Sequence, residues 1–178
     1  MTEEVGLEKF LQLPETQPPL EYLEGEIIQK PIPSFKEVVV RHRLLTKLNN
    51  VASSDSSWRA FLELRCTFNG QSLVPDIVVL TEEHLNTNES HRTQVPPDWS
   101  IDLFSPEQSQ TIILKRVIRC LEAGTQLAWV IDIEEKTIFV YFPQKVVFFD
   151  KEEDLLPTPP FVSSVSLTGG EIFSWLYF

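Results

Sequence analysis

Two aspartates stand in the chain where an aspartate is costly. Asp76 interrupts the run LVPDIVVL and Asp102 the run WSIDLFS, both otherwise apolar and strand-like. Taking a carboxylate out of water among valines, leucines and phenylalanines is unfavourable unless a cation or several donors satisfy it. Each one alone reads most simply as an aspartate capping a turn at a strand end. As a pair, separated by a polar stretch with the composition of a surface loop, they suggest neighbouring strands presenting carboxylates to one site. Such a site suits a hard divalent metal, Mg2+ or Mn2+, which takes oxygen ligands and leaves positions open for water and phosphate.

That chemistry calls for a cation nearby. Lys115 lies on a helix-like segment immediately after Asp102, and its side chain could fold back toward the strand end. There it would position a water or stabilise charge on transition-state phosphorus oxygens. The competing reading is an exposed helix lysine. Basic residues cluster in two places, Arg41, His42, Arg43 and Lys47 in one segment and Lys115, Arg116 and Arg119 in another. Either group could be a solvated helix face, or the two together a basic cleft on an acidic body.

Other chemistries find no support. Six scattered glycines form no phosphate-cradling loop, and Ser105 in FSPE is not a nucleophile elbow. His42, His84 and His91 are too dispersed for a zinc site. Cys66 and Cys120 belong to no CxxC pair and read as buried small hydrophobes. A net charge of −11 puts non-specific nucleic-acid binding at a disadvantage, so any DNA contact must be local. No apolar run approaches the roughly 20 residues of a membrane span, and MTEEVGLEKF has neither the basic nor the apolar region of a leader. A cytoplasmic location without a membrane partner is the expectation.

The elements that must position these residues follow from periodicity and punctuation. With 178 residues the chain has a single-domain length, and a domain of that size buries about two-thirds of its unfolded surface. Residues 1–20 read as a short helix and a proline-stiffened arm, and Glu24-Gly25-Glu26 as a turn. Val40, Leu44, Leu45, Leu48 and Val51 recur at helical spacing over Lys36–Val51. WRAFLELRCTF and LVPDIVVL read as adjacent strands joined at Asn69-Gly70. After the WSIDLFS strand, Ser105 as cap and Pro106 in the first turn start a helix that Gly124 ends. QLAWVIDI and TIFVYF form a hairpin, and residues 143–168, with a KVVFFD strand, lead to a final helix in GGEIFSWLYF. The order predicts an α/β or α+β fold, a mixed β-sheet flanked by helices, in one domain over 1–178 with an N-terminal arm (1–20) and a C-terminal extension (143–178). Phe161, Phe173, Trp175, Tyr177 and Phe178 either close the protein's own core or make a homodimer contact.

Pro75-Asp76, then an acidic residue in an apolar strand, then a lysine, is the order of the PD-(D/E)xK nuclease superfamily. More closely, the chain resembles a restriction-endonuclease-like family of bacterial proteins known as a domain of unknown function. The likeness runs from EYLEGEIIQKP through ELRCTF, VPDIVVL, PPDWSIDLFSPEQSQ and CLEAGTQLAWVID to VYFP. The resemblance implies a restriction-endonuclease-like core, a Mg2+-dependent phosphodiesterase site and DNA as substrate. Carried over by residue, Asp76 is the PD aspartate and Asp102 takes the (D/E) position, while Glu63 and Glu21 match acidic positions flanking the metal. The chain departs from the pattern in three ways. The second acid is aspartate rather than glutamate, and Phe104 stands where the motif lysine would. Counting back from Gly124 places Arg116, not Lys115, at the lysine position of relatives, and the histidine those relatives carry on the first long helix lands on Arg41, one residue from His42. These departures leave two expectations, a Mg2+- or Mn2+-dependent DNA endonuclease and a catalytically weak or inactive nuclease-fold protein that serves as a binding module.

Overall fold

The computed structural model describes residues 4–54, 57–85, 92–162 and 164–177; His91 and Phe178 lie outside them. Two mixed sheets form the body. The first has the order β2-β1-β5-β4-β7, built from β1 (Leu20–Leu23), β2 (Glu26–Gln29), β4 (Arg65–Phe68), β5 (Gln71–Leu73) and β7 (Arg92–Thr93). The second has the order β11-β10-β9-β8-β6-β3, built from β3 (Trp58–Leu62), β6 (Ile77–Thr81), β8 (Trp99–Leu103), β9 (Leu127–Asp132), β10 (Thr137–Tyr141) and β11 (Val146–Phe149). The pairs β4–β7 and β8–β9 are parallel and the other pairs antiparallel. The helices are α1 (Leu7–Leu11), α2 (Phe35–Ala52), α3 (Glu82–Leu85), α4 (Gln110–Glu122) and α5 (Gly169–Ser174).

The six-stranded sheet is the middle layer. On one face, Trp58, Ile77, Val79, Trp99, Ile101 and Trp129 pack with Val40, Leu44 and Leu48 of α2 and with Ile172 and Phe173 of α5. On the other, Val78 and Leu80 meet Leu23, Cys66, Phe68 and Leu73 of the five-stranded sheet and Cys120 of α4. Ile113 and Val117 of α4 cover Ala128 and Val130 on the same side. Phe161 and Trp175 pack against the main core, whereas Tyr177 is exposed.

Local chemistry explains the elements. Ser34 caps α2, accepting from the Glu37 N–H at 3.2 Å while its own N–H donates to Glu37 Oε2 at 2.6 Å, a reciprocal capping box. The β1–β2 turn uses Glu24 (φ 51°) and Gly25 (φ 83°), and the β4–β5 turn uses Asn69 (φ 45°) and Gly70 (φ 79°), two left-handed residues each, as tight hairpins require. Gly124 (φ 119°) follows the end of α4.

Two expectations are corrected. WRAFLELRCTF is not one strand: Glu63 adopts φ 49°, and the chain passes from the six-stranded sheet into the five-stranded one. Accordingly Asn69-Gly70 joins β4 to β5, while β3 pairs with β6 beyond the Val74–Asp76 crossing. Helix α4 starts later than Ser105. Ser109 occupies its N-cap position without a side-chain cap bond, and Ser105 instead accepts from the Gln108 N–H in a preceding turn.

Candidate active site

The two sheets part at Val74–Asp76, and the candidate site lies there. The β6–β8 register pairs Ile77 with Ile101, so the next position outward sets Asp76 opposite Asp102. Alternation sends Ile77, Val79, Ile101 and Leu103 into the α2 face and both aspartates to the other face, toward α4 and the five-stranded sheet. The Asp76 N–H donates to Asp102 Oδ1 at 3.1 Å, and the Leu103 N–H donates to Asp76 Oδ2 at 2.8 Å. Both aspartates are buried.

Glu21, on β1, joins them from the second sheet. It is fully buried, and its Oε1 accepts from the Val74 N–H at 2.8 Å. Three carboxylates from three strands or strand ends thus meet in one buried cluster.

Three buried cations meet them. Lys30, just past β2, places Nζ 2.6 Å from Asp76 Oδ1 and 2.7 Å from the Val74 carbonyl oxygen. Arg41, on α2, puts Nη2 2.6 Å from the same Asp76 oxygen and Nη1 3.1 Å from Glu63 Oε1. Arg116, on α4, puts Nη2 3.0 Å from both Glu21 Oε1 and Asp102 Oδ1. Burial alone would raise the Asp76 pKa, but Lys30 and Arg41 outweigh it and hold the carboxyl below the ordinary aspartate range. Burial likewise works against the Arg116 charge, and Asp102 and Glu21 more than offset it, so this guanidinium holds its proton more firmly than usual. Arg116 is therefore a fixed charge and donor, not a base.

Of the residues singled out from sequence, Asp76, Asp102, Glu21 and Arg116 come together, with Glu63 at the margin through Arg41. Lys115 does not reach them. It is 44% exposed and pairs with Glu24 at 3.0 Å. The phase of α4 explains this: Ile113, Arg116, Val117 and Cys120 form the buried face, and one position earlier points a side chain about 100° away. His42 is exposed on α2 and lines a separate groove with Arg43, Lys47 and Trp175. Cys66 and Cys120 are free, buried thiols; burial pushes the first well above its usual value and the second up to about 12.

Lys30 was missed, though a signal existed. Alternation along EIIQK puts Lys30 on the same side of β2 as the half-buried Ile28, so a lysine there faces inward. Arg41 was visible as part of a basic run, and helical spacing from Glu37 marks it as inward.

A family described as "Putative restriction endonuclease" (Uma2) matches residues 7–169. The chain belongs to the Uma2 family. A crystal structure described as "a putative nuclease belonging to DUF820" from Anabaena variabilis is 43% identical, covering 97% of this chain and 99% of that one at a TM-score of 0.93. No curated relative matches the chain.

The donor atoms are of the kind a hard divalent metal takes. Glu21, Asp76 and Asp102 supply only oxygens, and Glu21 Oε2 is buried with no hydrogen-bond partner. Among the described residues no three acidic, histidine or cysteine side chains are grouped as a ready metal cage. At Asp76 Oδ1 and Asp102 Oδ1 the contacts are already taken by Lys30, Arg41 and Arg116. No helix of the described residues is long and apolar enough to cross a membrane.

Proposed function

We propose that the chain hydrolyses phosphodiester bonds in DNA as a Mg2+- or Mn2+-dependent endonuclease of the PD-(D/E)xK type. The observation that carries this reading is the convergence of Asp76 and Asp102 on one sheet face with Glu21 beside them. These three residues would hold the metal, which when bound polarises a phosphoryl oxygen and lowers the pKa of its water. Arg116, at the position where the resemblance implies a lysine, contributes a permanent positive charge beside Asp102 and Glu21. It keeps its proton and so does not act as the base. Glu63, partly exposed and tied to Arg41, orients that guanidinium at the margin of the site.

The test is cleavage of supercoiled plasmid with Mg2+ or Mn2+ by wild type and by Asp102→Asn. The expected result is nicking by the wild type alone. No cleavage with either metal would end this reading.

A second reading, a nuclease-fold module that binds DNA or another partner without cutting, has its own observation in favour. Lys30 and Arg41 both meet Asp76, and Arg116 meets Glu21 and Asp102 together, so each of the three carboxylates has a cation beside it without a metal. Retention of DNA in a gel shift, with no cleavage and no metal requirement, would establish it.

A further inference from the structure

We propose that the Lys30 ammonium stands in for a divalent metal at Asp76, so that a metal enters this site only by displacing it. Nζ contacts two oxygens of the kind such a metal takes, Asp76 Oδ1 at 2.6 Å and the Val74 carbonyl at 2.7 Å. The Lys30 side chain is 4% exposed, so the contact is made out of water.

Charge gives the reason for competition. Glu21, Asp76, Asp102 and, through Arg41, the partly exposed Glu63 already hold Lys30, Arg41 and Arg116, and a divalent ion added to that set meets three resident cations. Losing one resident cation removes much of that repulsion. Of the three, Lys30 is the one built to leave. Arg116 is held by Glu21, Asp102 and the Val74 carbonyl together, and Arg41 spans Asp76 and Glu63. Lys30 carries a compact charge on a flexible four-carbon stem. It also borders a cavity of about 280 Å³, shared with Arg41, Glu63, Pro31 and Pro33, into which that stem can swing.

The inference rests on Asp76 being a metal ligand, as in the endonuclease reading, and metal binding tests it apart from cleavage. Mn2+ is titrated calorimetrically into metal-free full-length protein, comparing wild type, Lys30→Met and Lys30→Arg. Lys30→Met, which removes the charge and keeps the length, is expected to bind Mn2+ at least fivefold more tightly than wild type. Lys30→Arg is expected to stay like wild type. A smaller gain in Lys30→Met, or an equal gain in Lys30→Arg, overturns the proposal. Should Lys30→Met not fold without metal, Mn2+ is expected to rescue its melting transition, and not that of the Lys30→Met/Asp76→Asn double variant. Failure of that rescue, or rescue of both, also overturns it. Tighter Mn2+ binding with no DNA cut by any variant would sink the endonuclease reading and leave this one standing. Unchanged metal binding beside robust cleavage would do the reverse.

Discussion

Helix α4 carries two arginines one turn apart that make similar bonds in opposite surroundings. Arg116 meets Asp102 and Glu21 at 3.0 Å with side chains 5% exposed or less. Arg119 meets Glu24 at 2.5 Å and Glu122 at 2.9 Å with every partner more than a quarter exposed. By distance alone the surface pair is the stronger. Burial reverses the order, because a surface pair is screened and replaceable by water, whereas a broken buried pair strands its partners without solvent. Geometry describes a contact; its surroundings decide what its loss does.

The largest effects are expected at Arg116. Arg116→Met leaves Asp102 and Glu21 buried without their shared cation, which should lower stability by about 3–5 kcal/mol in denaturant melts. In the plasmid assay Arg116→Ala should lower cleavage by roughly a hundredfold, the usual effect of losing one fixed charge-stabilising donor. If Arg116→Met unfolds at the same denaturant concentration as Arg119→Ala, burial does not separate the two arginines.

Asp76→Asn sharpens the contrast through pH. Near neutrality it should cost about 3 kcal/mol by leaving Lys30 and Arg41 facing an amide. The folded carboxyl titrates below its ordinary value of 3.8, so its contribution is complete above that value and lost as pH falls through the lower folded one. The gap between wild type and variant should therefore be equal at pH 7 and pH 5 and close at more acid pH. A gap that widens on acidification would mean that Lys30 and Arg41 do not hold the charged form.

On the exposed side the effects shrink. Arg119→Ala should leave the denaturant midpoint where it was, and Lys115→Ala should leave both stability and cleavage unchanged. A clear loss of cleavage in Lys115→Ala would show that the helix turns in the DNA-bound state to present Lys115. Smallest of all is the response of the thiols. With burial holding Cys66 and Cys120 protonated, neither should react with iodoacetamide at pH 8 until the protein is unfolded. Fast alkylation of Cys120 in the native protein would mean that the layer beside Arg116 opens readily.

Much of the frame was legible in the amino-acid order. Helix α2 showed in the spacing of Val40, Leu44 and Leu48, two of the tight turns in Glu24-Gly25 and Asn69-Gly70, and the β9–β10 hairpin in QLAWVIDI and TIFVYF. The end of α4 showed in Gly124. These are local signals, since a helical period or a left-handed turn is written within a few neighbouring residues. The two aspartates were legible as well, because a charge in an apolar strand is anomalous wherever the strand goes.

What the tertiary structure alone decided is which side chains answer them. One residue at φ 49°, Glu63, breaks an apparently continuous strand between two sheets, and nothing in WRAFLELRCTF marks it. That break brings Glu21 of one sheet beside Asp102 of the other. Lys30, Arg41 and Arg116 reach the cluster from three separate elements, and local spacing that turns each one inward does not say which carboxylate it meets. A residue's type and spacing determine what it can do, and these were in the sequence from the start. Which charge it meets depends on packing between segments far apart in the chain, and only the assembled layers determine that.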